Sequence, residues 1–207
     1  MLEEWANAAT HGLGFLLSLA GLVFLLAFAW ERASTLHLVS ALVYGTSLVA
    51  LYGASTVYHL EPRVRRKYHL RMFDHIGIYF LIAGTYTPFT LLVLDGALRW
   101  AMFAAVWAIA LAGTCLKLFH SHRPTRLSTW SYLLMGWLSL LILIPLWKGL
   151  PAEGFWLLVA GGAAYTAGTW FFARDHRRFH HAIWHLFVLA GSILHFCSIY
   201  FFALRLY

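Results

Sequence analysis

Two histidines four residues apart, His181 and His185, stand in the last apolar stretch of the chain, FHHAIWHLFVLAGSILHF, residues 179–196. On an α-helix, positions i and i+4 lie one above the other on one face. Both imidazoles can then point at a single ion, as paired helical histidines do around zinc. Ser192 and His195 continue that face deeper into the apolar part. A second pair with the same spacing, Ser55 and His59, closes another apolar stretch, and Asp74 lies about one turn inside a third. Ionisable groups within a bilayer span are costly and face an interior site. Three imidazoles plus an open position make a catalytic type of zinc site, whereas structural sites close with four protein ligands. Zinc lowers the pKa of its water to about 7. The expected set is therefore Zn2+ on His59, His181 and His185. Asp74 is expected to hold the water, act as base and pass a proton to the leaving group. Ser55, one turn from His59, is expected to orient a ligand or bond a developing oxyanion.

The elements that must position these groups are membrane spans. The 207 residues are 61% hydrophobic and 11% charged, with mean hydropathy +0.71; a soluble domain carries about 25% charged residues. Apolar runs of about 20 residues, long enough to span, occur seven times, near 7–30, 36–60, 70–93, 97–119, 128–147, 153–173 and 179–204. Short connections and the absence of an internal repeat predict an all-α, seven-helix domain over 1–207. Glu3 and Glu4 stand where a basic leader region would be, so no cleavable signal peptide is expected. One side of the bundle carries Arg63, Arg65, Arg66, Lys67, Arg71, Lys117, Arg123, Arg126, Arg174, Arg177 and Arg178. The other carries Arg32, Arg99, Lys148 and Arg205. The positive-inside rule then predicts a cytoplasmic N-terminus and an extracytoplasmic C-terminus. Under that topology His59, Asp74, His181 and His185 all fall in the cytoplasmic leaflet, within a turn or two of one depth.

Other residues have plainer readings. The first span carries Asn7, His11, Gly14, Ser18 and Gly21 on one stripe. It reads as a packing seam, with His11 near the mouth of the site. Glu3 and Glu4 are expected to cap the first turn. Asp74 could simply pair with Arg71 at i−3, and His75 points away from it on the helix wheel. Thr85-Tyr86-Thr87-Pro88 marks a kink, and Gly161, Ala164 and Gly168 are close-packing positions. His120 and His122 beside Pro124 read as a solvated loop. Cys115 and Cys197 both sit in apolar runs, so no disulfide framework is implied. The net charge of +7 is concentrated in short loops, which fits membrane topology and not nucleic-acid binding. The expected partners are membrane lipids, including a lipid substrate with an acyl chain, in the plasma membrane. A retinal protein needs a mid-membrane lysine, which the seventh span lacks. A haem held between His181 and His195 would need a second histidine pair, and none lies near position 45.

The whole chain resembles the bacterial hemolysin III family, within the progestin and adiponectin receptor superfamily. The resemblance rests on Glu4-Trp5-Ala6-Asn7-Ala8-Ala9-Thr10-His11-Gly12, Ser55-x3-His59, Phe73-Asp74-His75-Ile76-Gly77-Ile78-Tyr79, Ala83-Gly84-Thr85-Tyr86-Thr87-Pro88 and His181-x3-His185. It implies a seven-helix bundle with an inward N-terminus. It also implies zinc on His59, His181 and His185, with Asp74 touching the zinc-bound water. The superfamily looks like metal-dependent lipid hydrolases, some with ceramide amidase activity, whereas the bacterial branch is named for cytolysis. Two functions are therefore expected in competition. One is a zinc-dependent hydrolase of an amide or ester in a lipid. The other is a non-enzymatic sensor or pore-forming cytolysin in which zinc braces the helices.

Overall fold

The computed structural model describes residues 2–120 and 126–206. His122, Arg123 and Pro124 lie outside the described residues, as do the side chains of His120 and Arg126. Seven helical segments are long and apolar enough to cross a membrane, and no strand occurs among the described residues. They are α1 (Leu2–Glu31), α2 (Thr35–Leu60), α3 (Val64–Pro88), α4 (Gly96–His120), a composite fifth span, α7 (Ala152–Phe172) and α8 (His180–Phe201). The fifth span runs as α5 (Arg126–Trp137), a 3-10 stretch (Leu138–Ile142) and α6 (Leu143–Gly149).

The burial of α1 shows how a membrane bundle inverts the soluble pattern. Its stripe of Asn7, His11, Gly14, Ser18 and Gly21 is buried, while Leu13, Leu16, Leu17, Val23 and Phe24 face outward. Lipid tails are as apolar as leucine, so apolar residues gain little by turning inward, and small or polar residues form the seam. At Gly14 an added methyl would lie 2.5 Å from the Tyr52 ring, so only glycine lets α1 approach α2 this closely.

The most enclosed span is α3. It begins at Val64, so its first turns carry the basic run Arg65-Arg66-Lys67 that the sequence places in a loop. Pro62 follows the end of α2, Arg63 stands at the N-cap position of α3 without a side-chain capping bond, and the exposed basic turns project beyond the apolar run. At its other end Pro88 supplies no backbone donor, and the helix loosens into a π stretch, Phe89–Val93. The irregularity in the fifth span was not expected from sequence. The Tyr86 hydroxyl donates to the carbonyls of Met135 (3.1 Å) and Gly136 (2.7 Å). Those carbonyls would otherwise accept from Ser139 and Leu140, where the tighter 3-10 winding starts, so Tyr86 satisfies groups the break sets free.

Between α3, the fifth span, α7 and α8 lies a cavity of about 400 Å³ with an almost wholly apolar wall, including Leu81, Ile82, Leu133, Val159, Phe172 and Trp184. Gly161 and Gly168 pack against His195 and Trp184, the close approaches expected of them.

Candidate metal centre

Four helix ends meet at one side of the bundle. They are the start of α1, the end of α2, the start of α3 and the start of α8, tied by Glu4–His59, Glu4–Lys67 and Glu3–Phe179 contacts. Glu61 and Pro62 end α2 just after His59. At the start of α8, Phe179 adopts a left-handed conformation (φ 61°). Such a conformation is uncommon for a side chain other than glycine, and the Glu3 carboxylate holds it by accepting the Phe179 N–H. The turn leads directly into α8, which carries His181 and His185.

His59, His181 and His185 each offer one ring nitrogen, and these nitrogens lie within 4.8 Å of one another. Ring centroids are 5.2 Å apart for His59–His181, 5.0 Å for His59–His185 and 4.6 Å for His181–His185. Nitrogens bound at about 2.1 Å to one tetrahedral zinc sit about 3.4 Å apart, so modest ring rotation closes the set. The outer partners select the tautomers. His59 Nδ1–H donates to Glu4 Oε2 at 2.8 Å, which leaves Nε2 as a lone pair. That atom is buried and has no hydrogen-bond partner. His185 Nδ1 reaches the Asn7 carbonyl and the Thr10 hydroxyl, both at 3.2 Å, which turns its Nε2 inward in the same way. A carboxylate or carbonyl behind a ligating histidine is the usual support of a metal site, because it fixes the ring and raises its basicity. An unpartnered buried acceptor is costly. A cation among the three rings removes that cost, so the donor set fits a divalent metal.

The other expected site residues stand beside this group, not in it. Asp74 is buried and lies within hydrogen-bonding reach of the Ser55 hydroxyl. Its carboxyl is not one of the clustered ligand atoms. Ser55 also meets His11 Nδ1 at 2.7 Å, and the His11 ring stacks on His185 with centroids 3.4 Å apart. Asp74, Ser55 and His11 thus form a polar chain that leans on a metal-ligand candidate. The Arg71–Asp74 ion pair that their spacing allows does not form among the described residues.

Ser192 and His195 share the face of the paired histidines but do not join them. The Ser192 hydroxyl bonds Tyr52 (2.8 Å) and Tyr165 (2.7 Å), and His195 Nε2 bonds the Leu158 carbonyl (3.0 Å). The residue whose further role sequence reasoning missed is Glu4, which stands in the first turn of α1 as expected. It does more than sit in a first turn: it accepts from both His59 and Lys67, the latter at 2.8 Å. The signal was there, since Glu4, Asn7 and His11 fall at i, i+3 and i+7, one helical face.

The model of the family described as haemolysin-III related matches residues 1–196. A protein called hemolysin-3 homolog from Bacillus subtilis is 45% identical over 98% of this chain and 95% of its own length. Hemolysin-3 of Bacillus cereus is 43% identical over 98% of this chain and 92% of its own. The human protein called monocyte to macrophage differentiation factor is 31% identical over 96% of this chain and 83% of its own length. Apolar spans and bacterial relatives together indicate a multi-pass protein of the plasma membrane. With nearly its whole length matched and its three histidines drawn together, the chain belongs to the haemolysin-III related family, within the progestin and adiponectin receptor superfamily.

Proposed function

We propose that the protein is a zinc-dependent integral membrane hydrolase that cleaves an amide or ester bond in a lipid. The observation that carries this reading is the buried, unpartnered His59 Nε2 within reach of His181 and His185, with His59 and His185 backed by residues of α1. His59, His181 and His185 would hold the zinc, which would supply a Lewis acid and a water whose pKa is lowered to about 7. Asp74 takes the proton of the attacking water on a carboxylate oxygen and returns it to the leaving amine or alkoxide. Ser55 keeps the Asp74 carboxyl in place and passes its own orientation from His11. The apolar cavity gives an acyl chain a dry seat. Phe172 lines that cavity and its ring lies 6.1 Å from His181, so cavity and site are neighbours. In this reading the end of the bundle with the histidines lies at the cytoplasmic leaflet, as the positive-inside rule predicts from the loop charges.

The test is Asp74→Asn in purified protein, assayed on amide- and ester-linked lipids with metal content measured alongside. Metal content is expected to stay unchanged while turnover falls about 10²- to 10⁴-fold, the usual worth of a positioned acid–base group. Turnover equal to the parent would falsify the role of Asp74. The competing reading, a cytolytic protein with a structural metal, draws on the name of the Bacillus cereus relative. It predicts leakage of dye from liposomes that persists when His59, His181 and His185 are replaced together.

A further inference from the structure

A second group of charged residues lies one helix away from the histidines. At Gly113 of α4 a side chain would strike the ring of Tyr79 on α3. The short connection makes the two helices antiparallel, so one turn beyond Gly113, Lys117 lies level with His75, one turn before Tyr79. One further turn along α3 on that face is Arg71, within electrostatic range of both, as well as of Asp74 and His181. Lys117 is only 5% exposed and His75 only 6%. His75 Nδ1 is buried without a hydrogen-bond partner. Neither cation forms an ion pair among the described residues. Asp74, the carboxylate close by, is turned about 100° round the helix from His75 and engages Ser55.

A buried lysine within electrostatic range of an arginine, neither of them ion-paired to a carboxylate among the described residues, repels it and is expensive to desolvate. An anion between them reverses both costs. Arginine and lysine together suit a phosphate-type oxyanion, the guanidinium through paired N–H groups and the ammonium as a point charge. The cluster also borders the apolar cavity. The Tyr132 hydroxyl, on the cavity wall, donates to the His75 carbonyl at 3.0 Å, and the ring of Phe172 lies 6.4 Å from that of His75. Phe172 therefore neighbours both His75 and His181.

We propose that Arg71, His75 and Lys117 form an anion subsite that binds the phosphate-type headgroup of the lipid whose chain occupies the cavity. This deepens the hydrolase reading by naming the charge of its substrate, and it rests on that reading for the word substrate alone. The binding itself requires neither metal nor turnover.

The experiment measures binding of radiolabelled dodecyl phosphate and of dodecanol to the full-length protein in an uncharged detergent. Wild type is expected to hold the phosphate about tenfold or more tightly than the alcohol, the worth of one charge-assisted hydrogen bond. Lys117→Met is expected to remove about tenfold from phosphate binding and to leave the alcohol unchanged. Methionine suits an apolar setting, so the fold is expected to survive, and Lys117→Arg, which keeps the charge, should retain the preference. His185→Ala is the arm that separates the two readings: it removes a metal ligand and should leave phosphate binding intact. Equal affinity for the two amphiphiles, or indifference to Lys117→Met, overturns the subsite. Inorganic phosphate that displaces the amphiphile at equal concentration overturns the lipid headgroup as its ligand.

Discussion

Two buried polar clusters share α2 and α8, about two turns apart, and they are finished differently. In the deeper one the Ser192 hydroxyl meets Tyr52 and Tyr165, and the Tyr44 hydroxyl reaches the Ser192 carbonyl at 3.4 Å. Every hydroxyl there has a partner within the protein. In the cluster at the helix ends, His59 and His185 spend one nitrogen on Glu4 and on Asn7 and Thr10. His59 keeps the other buried and unspent. Polar groups at membrane depth find no water to complete them, so a closed network reads as glue between helices. An open one reads as a seat for something absent from the chain itself. His195 shows the intermediate case. Its Nε2 is satisfied by Leu158, while its Nδ1 is buried without a partner beside the apolar cavity.

The largest expected effect breaks the open cluster. His185→Ala should take bound zinc from about one per chain to near zero by elemental analysis, because two imidazoles leave the site short of the three ligands a catalytic zinc uses. His59→Gln should do the same and guards against a folding defect peculiar to one variant. Wild type should also melt lower in the presence of a chelator, since a ligand bound only to the native state stabilises it by mass action. Both variants should lose that chelator response. If the histidine variants keep full metal content, the contrast between open and closed clusters carries no functional meaning.

Next in size is Glu4→Gln, which keeps the shape and removes the charge behind His59. Loss of such a supporting carboxylate typically costs about 10- to 100-fold in metal affinity. Competition with a fluorescent chelator would read that shift, and a Lys67→Met control separates it from the loss of the Lys67 ion pair. Equal affinities in Glu4→Gln and wild type would show that Glu4 ties α1 to α3 and does not support the ligand.

Much of this arrangement can be read from residue types alone, and the limits have physical causes. Span number and the paired spacing of His181 and His185 follow from length and the 3.6-residue period, which survive any tertiary context. The partner of each outer nitrogen does not follow, because Glu4 meets His59 across 55 residues of sequence and no local pattern encodes that approach. Asp74 shows the same limit. Its spacing permits a pair with Arg71, yet the carboxyl turns to Ser55 on another helix. Ser192 and His195 lie on the same helical face as the candidate ligands, and face alone cannot separate a column of ligands from a packing node. The break in the fifth span has its cause on α3, in the Tyr86 hydroxyl, where a reading of the span itself finds nothing.

The smallest expected effect tests the closed cluster. Ser192→Ala removes the oxygen on which Tyr52 and Tyr165 converge and leaves two phenol hydroxyls buried. Within a membrane, side-chain hydrogen bonds average about 0.6 kcal/mol, and an orphaned donor costs more, so a loss of about 1–2 kcal/mol is expected. Tyr52→Phe, which removes one partner and leaves Ser192 its other, should cost less than half of that. Thermal unfolding in detergent would order the two. Metal content should not change in either, since Ser192 lies nearly two turns from His185 along α8. Should Ser192→Ala strip the metal while the fold stays intact, the two clusters would be one device, and the tyrosines would belong to the site.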